Sequence, residues 1–172
     1  MKPTLYLMMG LPGAGKTTAA KCIEKLTHAK RLSSDEARVM IWDNPSFTEQ
    51  EHQELYLYLN DQTKHLLQAG KTVIYDANLN RYIHRAEKYQ LADELDVDVQ
   101  LIWVKTTKEL AKGRRIDSAE HHHLVPKSED PASMFERIAD VIEEPDEDEP
   151  YTELDGTKIS EEYVKEKLNL VS

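Results

Sequence analysis

The sequence predicts an α/β domain of three layers, with a parallel sheet of about five strands held between helices. Three observations carry that expectation. Strand-like and helix-like stretches alternate almost throughout the 172 residues, as they do where crossover helices join parallel strands. The strand candidates are short, unbroken apolar runs, the pattern of strands buried on both faces. The first of them runs straight into the glycine-rich "GLPGAGKTT" (Gly10–Thr18), and a helix pattern follows. The length suits one domain with a real core and is short for two, so residues 1–172 are read as a single unit.

"TLYLMM" (Thr4–Met9) is the first strand, and "KTTAAKCIEKL" (16–26) the helix after the glycine-rich turn. "KRLS" (30–33) is a short second strand. "SDEARVMIW" follows as a short helix, with Ser34 as its N-cap and acids in its first turn. "TEQE" (Thr48–Glu51) is a capping-box pattern. It opens a helix of about two dozen residues at most, with Leu55, Leu59, Leu66 and Ala69 along one face through Gln62 and Gly70 as its C-terminal glycine. Thr72–Tyr75 is a β-branched strand that stops at Asp76. A helix over Tyr82–Leu95 and the strand "VDVQLIWVK" come next. Thr107–Lys112 begins a helix that runs into "GRRIDSAEHHHLVP", polar and irregular in period, read as a mobile lid over about 107–126. Asp130-Pro131 caps a helix to about Ile142. A strand at Tyr151–Leu154, a "DGT" turn and a helix over Ser160–Leu170 complete the chain.

The net charge is −10, from 32 acids against 22 Lys and Arg. Such a surface repels a long polyanion, so a nucleic-acid ligand would be a short end or a single nucleotide, or would need a local basic groove. Six of the acids fall in "EEPDEDEP" (Glu143–Pro150), which reads as a solvated turn. One cysteine, Cys22, excludes an intrachain disulfide and a multi-cysteine metal cluster. The N-terminal apolar run is too short for a signal segment and no stretch has membrane-spanning length. The expectation is a cytoplasmic protein with no membrane partner.

Gly10-x-x-x-x-Gly15-Lys16-Thr17 matches the phosphate-binding loop signature. Gly13 and Gly15 let successive backbone N–H groups turn inward on one anion, and the helix that begins there adds its N-terminal dipole. The donor-nucleotide residues are therefore Gly10, Pro12, Gly13, Ala14, Gly15, Lys16, Thr17 and Thr18. Lys16 places a cation on the β- and γ-phosphates, and the Thr17 hydroxyl is a hard ligand for Mg²⁺. No N-K-x-D or T-K-x-D segment is present to read guanine, which favours ATP.

Asp35 and Arg38, in "SSDEAR", come 19 and 22 residues after Lys16 and one helical turn apart. A carboxylate facing a phosphate loop can take the proton of an attacking hydroxyl, and the arginine can grip an anionic group on the acceptor. A helix cap and a surface ion pair would explain the same two residues. Asp76 ends a buried strand at its carboxyl end, where open α/β sheets bind ligands, and with Asn78 it can hold Mg²⁺ or orient the acceptor. An Asx-type turn is the structural alternative for this pair. Arg81 and Arg85 fit solvated helix positions. Arg114 and Arg115 are the lid cations that can meet charge on a transferring phosphoryl group. His121, His122 and His123 cannot readily face one ion from a single regular element.

This set of motifs resembles the small P-loop kinases related to polynucleotide 5′-hydroxyl kinase and the single-domain proteins labelled AAA family ATPase, with zeta-toxin-like and chloramphenicol phosphotransferase-like kinases more distant. The shared pieces are "GLPGAGKTT", the D-x-x-R of "SDEAR", "VIYDANLN" in place of a V-I-x-D-T-N-like motif, and an arginine-bearing lid ending in "VP". The resemblance implies a P-loop kinase fold. It also implies Asp35 as general base, Arg38 on the acceptor's phosphate, Asp76 in the metal and acceptor site, and a lid arginine on the donor phosphates. The lid "AKGRRID" lacks an R-x-x-x-R spacing, so either Arg114 or Arg115 fits that place.

Two classes of function follow. One is an ATP- and Mg²⁺-dependent kinase acting on a hydroxyl acceptor, such as a polynucleotide 5′ end, a nucleotide, or an antibiotic- or sugar-nucleotide-type small molecule. The other is a nucleotide-dependent switch or ATPase that signals to a protein partner. An oligomeric mechanochemical ATPase is disfavoured by the short chain.

Overall fold

The computed structural model describes residues 2–119 and 129–170. The expected three layers are present. Five strands, β1 (Thr4–Met9), β2 (Lys30–Ser33), β3 (Val73–Asp76), β4 (Asp98–Lys105) and β5 (Tyr151–Asp155), form one sheet in the order β2-β3-β1-β4-β5. Every pair is parallel. Because side chains alternate along a strand, β1 feeds two cores. Leu5, Leu7 and Met9 face one, with Tyr75, Leu101 and Trp103; Tyr6 and Met8 face the other, with Ile74, Ile102 and Val104. Helices α2 (Ser34–Ile41), α3 (Glu49–Gln68) and α4 (Tyr82–Glu94) cover the first core, and α1 (Lys16–Thr27) and α7 (Glu161–Lys167) the second. Helices α5 (Lys108–Ala119) and α6 (Pro131–Ala139) pack on each other, with Lys108 and Lys112 both bonded to Glu136 at 2.7 Å.

Several elements differ in detail from the sequence expectation. The buried stripe of α3 is Leu55, Leu59, Thr63 and Leu67, while Leu66 is half-buried and Ala69 exposed. A polar Thr63 fits the stripe because its hydroxyl bonds the Leu59 carbonyl at 2.7 Å, so its burial leaves no donor unpaired. The cap of α2 is Ser33, the last residue of β2, whose hydroxyl accepts from the Glu36 N–H. Helix α5 continues to Ala119 with regular geometry, so Arg114 and Arg115 lie on a helix and not in an irregular segment. The remainder of the expected lid, including His121, His122 and His123, lies outside the described residues.

The acidic run is also more than a solvated turn. Glu149 is buried, and its carboxylate receives the Arg85 guanidinium at 2.6 and 2.8 Å together with the Tyr89 hydroxyl. Arg85, expected among the solvated residues, has no exposed surface and also donates to the Leu79 carbonyl at 3.0 Å. Glu143 receives the Tyr82 N–H at the start of α4. A helix N-terminus has free donors to offer, and here the acidic run supplies an acceptor.

Candidate active site

The loop between β1 and α1 is shaped as an anion cradle. Gly13 and Gly15 have φ of 82° and 109°, a region that suits residues without a β-carbon. Gly13 also lies so close to α5 that a β-carbon there would stand 2.2 Å from the Ala111 carbonyl oxygen. Helix α1 begins on Gly15 with no side-chain cap and no acid in its first turn. Its first N–H groups and dipole therefore stand open to an anion. Ala14 is buried, Pro12 half-buried, and Thr17 and Thr18 exposed at the helix start. The entry to the loop is pinned by a residue outside the phosphate-loop motif. Asn80, itself buried, accepts from the Gly10 N–H and donates to the Gly10 carbonyl, both at 3.0 Å.

Three strand ends bring the charged residues to this loop. Burial lowers the Lys16 ammonium below its ordinary value and the Arg115 charge adds to that, while Asp76 and Asp35 act in the opposite sense. Both carboxylates, and Arg115, thus lie within electrostatic reach of Lys16. Asp76 is buried at the end of β3, in register with Ser33 at the end of β2. Burial raises its carboxyl, Lys16 and Arg31 lower it, and Asp35 adds a smaller upward push. Arg31 donates to Asp76 Oδ2 at 3.0 Å and also binds Glu36. Arg31 was not apparent from sequence, because it lies inside strand β2 with no motif around it. Asp35 stands exposed in the first turn of α2.

Arg38 is placed differently from the expectation of a side chain reaching out beside Asp35. It is buried against α3, donates to Glu51 at 3.1 Å, approaches His52 Nδ1 at 3.3 Å and lies over the Phe47 ring at 4.8 Å. Glu51 is buried too, and a buried carboxylate needs a cation beside it. Arg38 thereby braces α2 on α3. Asn78 makes the Asx-type turn, accepting from the Asn80 N–H at 3.1 Å, and its own N–H donates to the Tyr56 hydroxyl at 3.2 Å. Burial pushes the Tyr56 phenol up to about 12, so it stays protonated at neutral pH.

The two α5 arginines part company. Arg114 donates to the Gly156 carbonyl at 3.2 Å and so ties α5 to the turn after β5. Arg115 is the one whose charge reaches Lys16, and its backbone nitrogen lies against Gly13. Just past β4, the Thr106 hydroxyl is buried without a hydrogen-bond partner. Among the described residues no three His, Cys, Asp or Glu side chains converge on a point that could hold a metal ion. A Mg²⁺ bound mainly by phosphate oxygens and water needs only one or two protein oxygens. The exposed Thr17 hydroxyl and the Asp76 carboxylate fit that smaller demand.

The fold recurs in several solved structures. A putative kinase from Chloroflexus aurantiacus matches over all of both chains at 16% identity, with a TM-score of 0.77. A sugar kinase from Janibacter matches 99% of this chain and 94% of its own at 19% identity and a TM-score of 0.68. A chain of the Pnkp1/Rnl/Hen1 RNA repair complex matches 83% of this chain and 47% of its own length at 19% identity and a TM-score of 0.64. No curated protein matches the sequence. At such identities the likeness is one of fold: a P-loop kinase-like architecture common to several families. The family itself comes from a sequence profile that matches residues 5–145, from β1 into the acidic run, and by that match the chain belongs to the AAA domain family.

Proposed function

We propose that the protein is an ATP-dependent phosphotransferase that moves the γ-phosphoryl group of ATP to an acceptor hydroxyl. The observation that carries this reading is the position of Asp35, an exposed carboxylate in the first turn of α2, on the same rim of the sheet as the phosphate loop and with its charge within reach of Lys16. With Asp76 available to hold Mg²⁺, a second carboxylate on that rim is free to take the proton of an attacking hydroxyl.

In this reading the loop from Gly10 to Thr18 and Lys16 hold the donor phosphates. Arg115 meets the charge that develops on the transferring group, and Arg114 holds α5 in place through Gly156. Thr17 and Asp76 are the residues that would hold Mg²⁺, which supplies charge neutralisation between the phosphates. Asp35 takes the hydroxyl proton as the acceptor oxygen bonds the γ-phosphorus and the bond to ADP breaks. Arg38 acts on the acceptor through the α2–α3 junction that it braces. A nucleotide or a polynucleotide 5′ end is the acceptor class that the motif resemblance favours.

A second reading has one observation in its favour. Val39 and Met40 on α2 are 53% and 65% exposed, an apolar face of the kind that a switch protein shows to a partner. The two readings separate in a transfer assay with γ-labelled ATP and a panel of hydroxyl acceptors. A kinase loses at least about 100-fold of its transfer rate in Asp35→Asn and keeps its ATP affinity. Slow ATP turnover indifferent to every acceptor, and equal in wild type and Asp35→Asn, would sink the transferase reading.

A further inference from the structure

A pocket of about 400 Å³ opens between α3 and α4, with the Asn78 loop after β3 on its wall. Its lining residues connect it to α2, which carries Asp35, and to the loop that follows Asp76. Tyr56 carries the hydroxyl bonded by the Asn78 N–H, and its phenol feels the charges of Asp35 and Arg38. His52 touches Arg38. Both line the pocket, as does Asn78.

Its chemistry is of two kinds. One wall is a run of three rings: His52 and Tyr56 have centroids 4.5 Å apart, and Tyr56 and His84 6.5 Å apart. Burial lowers the basicity of His52, with Arg38 and His84 adding to the effect, so at neutral pH it offers an uncharged face for stacking. The other feature is Lys88. Its side chain is 3% exposed, yet it lines the pocket, whereas Leu57 at the pocket's edge is 69% exposed. Its ammonium lies 5.0 Å from the centre of the Tyr75 ring, and among the described residues its ion-pair partner is the half-exposed Glu87, 3.5 Å away. That is a poorly matched environment for a buried cation. Burial lowers the Lys88 ammonium below its ordinary value against the opposing effect of Glu87.

We infer that this pocket is the acceptor subsite, that it takes a nucleotide-sized molecule with a planar ring and an anionic group, and that Lys88 reads the anion. The inference rests on the transferase reading for the word acceptor. The pocket volume falls in the range for small-molecule sites, and an aromatic face holds a planar group without reading its edges. The net charge of −10 argues against a polymeric acceptor. In the transfer step the acceptor hydroxyl gives its proton to Asp35, its oxygen bonds the γ-phosphorus, and ADP leaves with the bridging oxygen.

The test is calorimetry at saturating Mg²⁺ and AMP-PNP, which keeps the phosphate loop filled. The probes are adenosine 3′- and 5′-monophosphate (ring and anion), adenosine (ring alone), gluconate (anion alone) and a single-stranded decamer with a free 5′-hydroxyl. The better of the two nucleotides is expected to bind at least about 10-fold more tightly than adenosine or gluconate. Lys88→Met is expected to erase that advantage, so that nucleotide and nucleoside bind alike, and Lys88→Arg to keep part of it. Melting of Lys88→Met at or above the wild-type temperature shows that the fold is intact. The inference is overturned if Lys88→Met leaves the preference unchanged, if gluconate or the decamer binds best, or if no probe binds. Transfer from γ-labelled ATP, measured on the same samples, keeps the two ideas apart. Lys88-dependent binding with no transfer removes the kinase reading and leaves the pocket standing; transfer with no dependence on Lys88 does the reverse.

Discussion

Asn80 shows how a single side chain can set the shape of the phosphate loop. Its amide answers both the N–H and the carbonyl of Gly10, where the chain leaves β1 and can no longer pair within the sheet. Asn80→Ala leaves two buried backbone groups unpaired, so the expected cost is about 1–3 kcal/mol, read from urea denaturation, together with weaker Mg-ATP binding by calorimetry. Unchanged ATP affinity would show that the loop holds its form without the clamp. The loop itself was legible because everything it needs lies within nine consecutive residues, from Gly10 to Thr18. Asn80 was not, because it is 70 residues away and nothing in "DANLN" distinguishes a clamp from a turn. Arg38 was legible as part of D-x-x-R, but its engagement by Glu51 was not. That contact depends on how α2 and α3 meet, and residue spacing carries no information on it.

Helix α4 is anchored at its heart by an ion pair that the acidic run reaches in to complete. Removing one partner of a buried pair strands the other charge. Arg85→Met is therefore expected to cost about 3–5 kcal/mol, and Arg85→Met with Glu149→Leu to recover much of it; urea midpoints for both variants decide. The pair also shapes the acid limb of stability. Burial pushes the Glu149 carboxyl up, but the bonds from Arg85 and Tyr89 outweigh it and hold it below its ordinary value. The stabilisation is thus fully present above the unfolded value of about 4.3 and is lost as pH falls through the lower folded value. Glu149→Gln should flatten the stability profile there, and an unaltered profile between pH 3 and 6 would contradict the assignment. The helices are legible in period and caps, because those signals are local. The buried face of α3 runs through Thr63 and not Leu66, which spacing does not reveal, because only the bond to the Leu59 carbonyl makes a polar Thr63 fit there.

The parallel sheet gathers the candidate site residues on one rim. The ends of β1, β2 and β3 carry the loop, Asp35 and Asp76 in turn, and this follows from parallel strands all ending on the same side. The alternation of strand and helix made the layers legible, but not the strand order. That β3 slips between β1 and β2 is decided by packing across the whole domain. A nucleotide held by so much of this rim should be felt by the entire fold. At Mg-ATP 100-fold above its Kd the gain is about 2.7 kcal/mol, or roughly 5–10 °C in melting temperature for a domain of this size. Lys16→Ala should melt at the same temperature with and without Mg-ATP; a retained shift would remove Lys16 from the binding site.

The turn after β5 closes on the same loop. Gly156 lies so near it that a β-carbon there would stand 1.9 Å from the Ala14 carbonyl oxygen, and its own carbonyl receives Arg114. The family match ends at residue 145, yet Glu149, β5 and this turn all lie beyond it. A fragment trimmed to the matched region would leave Arg85 an unanswered buried charge. It would also turn β4 into a bare edge strand carrying Trp103, open to pairing with other chains. The boundary of sequence kinship therefore cuts through the folding unit, and the turn after β5 is as much a wall of the phosphate loop as the motif that announces it.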